Sequence, residues 1–257
     1  LAGDLLGKCG VEKLCEPVLR GRRGYRRLKR TGGEPKLLDQ APAEHDRDVR
    51  LTLDLELQQR CRDLLHQAGG PGAFAVVSVP TGEVLALTSV PGYDPGRFRR
   101  DRDYAQAVMT DAENLPLLNR AAGRRIPTGS TVKPLVALGA LTRGAITPET
   151  TFFCQGYLHT PGSFRCHSRH GRVGLTEAIQ KSCNVYFYKV GDAMGPRRLA
   201  RWLQYWGFAE PPGTGLPEER RGLVPTAAWL QRHRQRSARP GDARNMAVGQ
   251  GEFSATP

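Results

Sequence analysis

The chain has 257 residues, 39% hydrophobic, 25% charged and 7% aromatic. That is enough apolar material for one large domain or two small ones, and too balanced for wholesale disorder. Its 30 glycines and 19 prolines show no triplet period, which excludes a collagen-like rod. No apolar run approaches the roughly eighteen residues that a membrane-spanning helix needs. Thirty-eight basic against 25 acidic residues give a net charge of +13, which favours anionic neighbours. Seven basic residues fall between Arg20 and Arg30 and read as a solvated face. No nucleic-acid-binding motif or base-stacking platform accompanies them, so no nucleic-acid partner is expected.

In chain order, the opening Leu1-Ala2-Gly3-Asp4 shows neither an initiator methionine nor a basic-then-apolar leader. The sequence therefore reads as part of a longer protein whose start lies upstream. Residues 1–46 read as short elements broken by Gly24, Gly32-Gly33 and Pro35, closing in the polar run Glu44-His45-Asp46. Val49 to Leu53 alternates apolar and polar and predicts a strand. Asp54 is placed to cap a helix from Leu55 to about Ala68, whose Leu57, Cys61, Leu64 and Leu65 form one apolar stripe ended by Gly69-Gly70. Ala73–Val79 and Glu83–Val90 predict two strands turning at Pro80-Thr81-Gly82, apolar enough for a sheet covered on both faces. Residues 91–114 read as irregular. Helical patterns follow at 130–141, 175–182, 185–194 and 196–206. Strands first and helices afterwards, with no βαβ alternation, predict an α+β fold.

Pro127-Thr128-Gly129-Ser130-Thr131-Val132-Lys133 carries the most chemistry. Breakers at 127 and 129, followed by an apolar stretch, place Ser130 in the first turn of a buried helix. Residues three apart share a helix face, so the Lys133 amine is expected over the Ser130 hydroxyl. A serine hydroxyl attacks only when a base takes its proton, and a desolvated lysine can serve. The helix N-terminus adds free N–H groups and a positive dipole end where oxyanion charge would develop. A second motif, Ser182-Cys183-Asn184, sits where two helical patterns meet. There Ser182 could relay a proton to Lys133 and the Asn184 amide could hold a substrate carbonyl. Chance alone would supply about 0.2 Ser-x-x-Lys and about 0.1 Ser-x-Asn matches at this composition. Both occur, in the order found in serine acyl-transferases.

With these stretches the sequence resembles the class B penicillin-binding proteins of the elongation type. Leu51-Thr52-Leu53-Asp54, Leu118-Asn119-Arg120-Ala121, Pro127 to Pro134, Ser182 to Tyr188 and Gly249-Gln250-Gly251 carry the resemblance. It implies the transpeptidase fold, an antiparallel sheet flanked by helices with an all-helical part. It also implies two domains: residues 1–46 as the end of an N-terminal pedestal and 47–257 as the transpeptidase domain. Implied too is a peptidoglycan D,D-transpeptidase in which Ser130 attacks the D-Ala-D-Ala carbonyl of a stem peptide, Lys133 is the base, and Ser182 and Asn184 take the roles above. Stem peptides and β-lactams would be its ligands, and a membrane glycosyltransferase of the elongation complex its partner. The catalytic domain would lie on the periplasmic side of the cytoplasmic membrane, with the anchor outside this chain. The family's third motif, Lys-(Thr/Ser)-Gly, does not occur before Pro257, so this stretch is expected to be C-terminally incomplete and by itself nearly inactive. A D,D-carboxypeptidase or β-lactamase-type hydrolase shares the same motifs and stays open. So does a non-catalytic, zinc-stabilised binding module.

Cys154, Cys166, His170 and Cys183 fall within thirty residues. Three thiolates and one imidazole suit a tetrahedral structural zinc site, and some relatives in the family hold a metal at matching places. The chemistry itself requires no cofactor. His167 competes as a ligand and His159 less so, and a Cys154–Cys166 disulfide is the alternative. Such a metal would fix the loop bearing Ser182 and Asn184. Cys61 is expected in the core, and Cys9 and Cys15 have no cluster.

Overall fold

The computed structural model describes residues 6–30, 32–44 and 48–257. The sequence-based boundary at His45-Asp46 and the opening tetrapeptide lie outside them. The described chain forms two compact units. One runs to Ala122 and takes in Gly213–Glu219; the other comprises Gly123–Pro212 and Arg220–Pro257. The expected pedestal remnant and the segment after it up to Ala122 share the first unit.

The first unit opens with two short helices, α1 (Gly10–Leu14) and α2 (Glu16–Leu19). A two-stranded antiparallel ribbon follows, β1 (Tyr25–Lys29) against β2 (Lys36–Ala41). Arg26, Arg27 and Lys29 of the basic run lie on β1, which is exposed along its whole length, with the Tyr25 hydroxyl donating to Asp39 at 2.7 Å. Helix α3 (Leu55–Ala68) forms as expected: Asp54 accepts from the Leu57 N–H at 3.0 Å, Cys61 is buried, and Gly69 ends it. Beside it β3 (Gly72–Val77) and β4 (Val84–Val90) make an antiparallel hairpin closed by the Ser78 N–H to the Glu83 carbonyl.

Three expectations need correction here. Residues 49–53 form no strand. The Asp54 N–H does reach the Leu85 carbonyl, but farther along β4 the Gln58 side-chain amide takes both the N–H and the carbonyl of Leu87, at 2.7 and 2.8 Å. Residues 49–53 themselves meet β4 through the Thr52 hydroxyl, which donates to the Val84 carbonyl at 2.7 Å, and no backbone ladder forms. The hairpin is not covered on both faces: β4 buries only Ala86, Thr88 and Val90, every second residue, while Phe74 and Val77 on β3 are exposed. Residues 91–114 are not irregular but carry α4 (Pro95–Arg100) and α5 (Arg102–Thr110), N-capped by Asp94 and Asp101. A short turn of helix, α6 (Arg120–Gly123), follows, with Arg120 buried.

The second unit holds the larger core. A 3₁₀ turn at Gly129–Val132 runs into α7 (Lys133–Thr142). Two three-residue strands, β5 (Phe152–Cys154) and β6 (Gly171–Val173), pair antiparallel, and α8 (Leu175–Gln180) leads into the long α9 (Asn184–Tyr205). Gly195 breaks α9 with φ 71° and ψ 159° before Pro196, which accounts for the two separate helical patterns in the sequence. Helices α10 (Ala227–Arg234) and α11 (Pro240–Ala247) complete the unit. Val185, Phe187, Val190, Met194, Leu199 and Leu203 of α9 are fully buried, packed with Val136 and Ala140 of α7 and with Met246 and Ala247 of α11. The Trp202 indole N–H donates to the Leu135 carbonyl at 2.8 Å, tying α9 to the turn after the nucleophile candidate. The whole is α+β, as the sequence indicated. Among the described residues no helix is long and apolar enough to cross a membrane.

Candidate active site

Ser130 is the second residue of the 3₁₀ turn and is exposed; Lys133, three residues on, opens α7 and is only 1% exposed. The i and i+3 side chains of a 3₁₀ turn eclipse, so the two do share a face. The hydrogen bonding differs from the expectation of a direct contact. Lys133 Nζ donates to the Ser182 carbonyl (2.8 Å), to Ser182 Oγ (2.9 Å) and to Asn184 Oδ1 (2.7 Å). Three acceptors use all three ammonium protons. The link to the nucleophile runs instead through Ser182, whose Oγ lies 2.9 Å from Ser130 Oγ.

That relay position depends on an unusual backbone. Ser182 sits between α8 and α9 with φ 49°, in the left-handed region that non-glycine residues seldom occupy. Cys183, not Ser182, is the N-cap of α9, its Sγ accepting from the Tyr186 N–H at 3.4 Å. The Ser182 hydroxyl is thereby left to bridge Ser130 and Lys133. The Asn184 amide is used at both ends, Oδ1 by Lys133 and Nδ2 by the Arg165 carbonyl at 3.2 Å. The leading N–H of the 3₁₀ turn is also committed, since Gly129 N donates to the Gly249 carbonyl at 2.9 Å.

Burial moves the Lys133 amine down from the ordinary lysine range to about 8, and the thiols of Cys166 and Cys183 nearby work in the opposite direction. The Phe187 ring lies 5.5 Å from Nζ and adds to the dry wall.

Beside this chain of groups, the side-chain donors of Cys154, Cys166, His170 and Cys183 lie within 4.8 Å of one another. His170 Nδ1 is 3.6 Å from both Cys154 Sγ and Cys166 Sγ. A tetrahedral zinc with ordinary bond lengths would separate its ligand atoms by about 3.5–3.8 Å, so the donor set fits in number, chemistry and spacing. His167 lies 4.0 Å from Cys166 Sγ and packs edge-on against the His170 ring, and it is not one of the four convergent donors. All six cysteines are free thiols, so the disulfide alternative is not realised. Cys166 is held well below the usual thiol range by the Cys183 S–H and by backbone N–H groups, while the same contact and burial push Cys183 up. Cys183 stands between Ser182 and Asn184, and the Asn184 N–H donates to Cys166 Sγ at 3.3 Å. One donor, Cys183, therefore lies inside the relay motif, and a second, Cys166, is hydrogen-bonded to it. The sequence did not show the Arg165 carbonyl on Asn184, the Phe187 ring near Lys133, or the Gly249 carbonyl on Gly129. Only Gly249 had left a trace, as part of Gly249-Gln250-Gly251 without an assigned role.

A serine reached by a buried amine through a second serine is the arrangement that serine acyl-transferases use. Residues 72–257 match the penicillin-binding protein transpeptidase domain, and the chain belongs to that family. Its curated relatives include the peptidoglycan D,D-transpeptidase MrdA of Escherichia coli K12, 39% identical over 98% of this chain and 41% of that protein. Among solved structures, PBP2 of Helicobacter pylori in complex with MreC is 33% identical with a TM-score of 0.85, over 98% of this chain and 48% of that one. A chain of a peptidoglycan synthase complex that coordinates polymerization and crosslinking is 34% identical with a TM-score of 0.80, over 98% of this chain and 47% of its own. The chain thus spans about two-fifths of the length of MrdA.

Proposed function

We propose that the complete protein is a peptidoglycan D,D-transpeptidase that cross-links stem peptides through an acyl-enzyme on Ser130. The observation that carries this reading is the continuous path Ser130 Oγ, Ser182 Oγ, Lys133 Nζ, two hydrogen bonds of 2.9 Å each. Ser130 Oγ bonds to the penultimate D-alanine carbonyl carbon. Its proton passes through the Ser182 hydroxyl to the neutral Lys133 amine, and then to the nitrogen of the departing D-alanine as the C–N bond breaks. In the second half an amine of a neighbouring stem attacks the ester, its proton returning along the same path to Ser130. A β-lactam carbonyl enters the same first half, and its ring nitrogen cannot leave the site. Asn184 holds the lysine through Oδ1, and its Nδ2 is the group that would turn from Arg165 to a substrate carbonyl. Relatives named as transpeptidases favour an amine acceptor over water, and so over the carboxypeptidase and β-lactamase readings.

Cys154, Cys166, His170 and Cys183 would hold a structural zinc. A zinc there would contribute rigidity and no step of the reaction, by fixing the loop from which Ser182 and Asn184 project. The H. pylori complex with MreC and the synthase complex support a place in the elongation machinery beside a glycosyltransferase. The catalytic domain would work on the periplasmic face of the cytoplasmic membrane, where its substrate lies. Fluorescent penicillin incubated with the complete protein tests the reading: a covalent band is expected, and Ser130→Ala should abolish it. Labelling that survives Ser130→Ala sinks the assignment of the nucleophile.

A further inference from the structure

The Gly249-Gln250-Gly251 motif lies far from Ser130 in sequence and takes no part in the proton path. In space it is next to the nucleophile turn. Gly249 has φ 69°, its carbonyl accepts from the Gly129 N–H at 2.9 Å, and its Cα is packed against the residues that lead into Ser130. A methyl group at that Cα would stand 2.0 Å from the Gly129 carbonyl oxygen, 2.6 Å from Gly129 N and 2.5 Å from Thr128 Oγ1. Two of these three are backbone atoms, which cannot rotate away. A second tie lies four residues before Ser130: Ile126 and Ala255 exchange both backbone hydrogen bonds, at 2.8 and 2.9 Å. The strap carrying both ties is itself anchored, since Ser254 pairs with Leu223 at 2.7 and 3.1 Å.

We propose that Gly249 is a positioning residue for the nucleophile: its glycine-only approach to Gly129, with the Ile126–Ala255 pair, sets where the Ser130 hydroxyl sits relative to Ser182. This inference rests on the transpeptidase reading. The 2.9 Å Ser130–Ser182 contact leaves little tolerance, and displacing a reacting group by about 1 Å costs on the order of 100-fold in rate.

The test uses the complete protein and separates non-covalent β-lactam binding (Kd) from the acylation rate constant by stopped flow, well below the melting midpoints. Gly249→Ala is compared with Gly207→Ala. Gly207 also has positive φ, 83°, but a methyl there meets nothing within 4 Å, so it reproduces the backbone strain without the clash. Both variants are expected to lower Tm. Only Gly249→Ala is expected to slow acylation, by about 10-fold or more, with Kd unchanged. An acylation rate within about threefold of the unsubstituted protein, or an equal loss in Gly207→Ala, overturns the proposal. If Gly249→Ala does not fold, Ala255→Pro decides, because it deletes the N–H that Ile126 accepts and sets the ring against that carbonyl, breaking the second tie: a loss of about threefold or more at constant Kd supports positioning, and no loss overturns it. Should the unsubstituted protein never acquire label, the enzyme reading fails first, and this inference falls with it, before any variant is compared.

Discussion

Lys133 is subject to two opposed influences. Burial strips water from its amine and brings it to about 8, while the neighbouring thiols stabilise its positive charge. At pH 7 such an amine is still about nine-tenths protonated, and the three acceptors around Nζ suit that ammonium. The base that the reaction needs is therefore the minor form, and its share rises with pH. Acylation by a β-lactam is expected to accelerate from pH 6 upward and to level off above about 8. A rate that stays flat across that range counts against Lys133. Ser182→Ala removes the atom through which the proton must pass, and should slow acylation by about 100-fold or more while leaving reversible binding intact. The Ser130–Lys133 pairing was legible because three-residue spacing puts two side chains on one face in any helical turn. The route through Ser182 was only half legible: the motif was visible, but the left-handed φ that aims its hydroxyl is set by how α8 passes into α9.

At the scale of elements, caps decided more than propensity. Asp54 was readable ahead of an apolar stripe, and α3 begins where that reading placed it. Asp54→Ala should cost about 1 kcal/mol of stability, seen as a lower denaturant midpoint, since Leu57 loses the only side-chain acceptor at its N–H. An unchanged midpoint would mean that the helix start is held by its contacts with β4 instead. Helices α4, α5 and α10 carry the same kind of signal in Asp94, Asp101 and Thr226, each accepting from an N–H three residues on. Helices α4 and α10 are short and arginine-rich, with no sustained apolar period, whereas α5 carries a readable stripe in Tyr104, Ala107 and Val108 that its nine residues leave brief. Strands β5 and β6 are three residues each, too short for alternation to register. The reverse error at residues 49–53 has the same root. Alternation was present there, but a strand needs a backbone ladder, and here the contact with β4 is made by the Thr52 hydroxyl on the Val84 carbonyl and by the Asp54 N–H on the Leu85 carbonyl.

For the whole molecule, the four-donor cluster is what binds distant stretches into one site. Cys154 ends β5, Cys166 and His170 lie on the loop before β6, and Cys183 caps α9. Elemental analysis of the purified protein should give about one zinc per chain, as four donors around a single ion require. A Cys154→Ser/His170→Ala variant should lose it, and with it part of its penicillin labelling, because the loop holding Ser182 and Asn184 loosens. Protein prepared without chelators and containing no zinc would remove the metal from this account. The basic run has a plainer outcome: Arg26, Arg27 and Lys29 lie along an exposed ribbon strand, and Arg22 pairs with Glu44 at 3.8 Å.

By itself the sequence determined what depends on near neighbours along the chain: the α+β class, the capped helix α3, the family, and the candidates for the chemistry. Their types and spacings are covalent facts, and helical periodicity turns spacing into proximity within a turn. Tertiary structure decided how segments about fifty residues apart meet. Packing α9 against α7 brings the Ser182 hydroxyl between Ser130 and Lys133 and buries the amine, and the return of residues 249–255 ties down the turn before Ser130. Those distances follow from how side chains fill a common core, which no single stretch of the chain encodes.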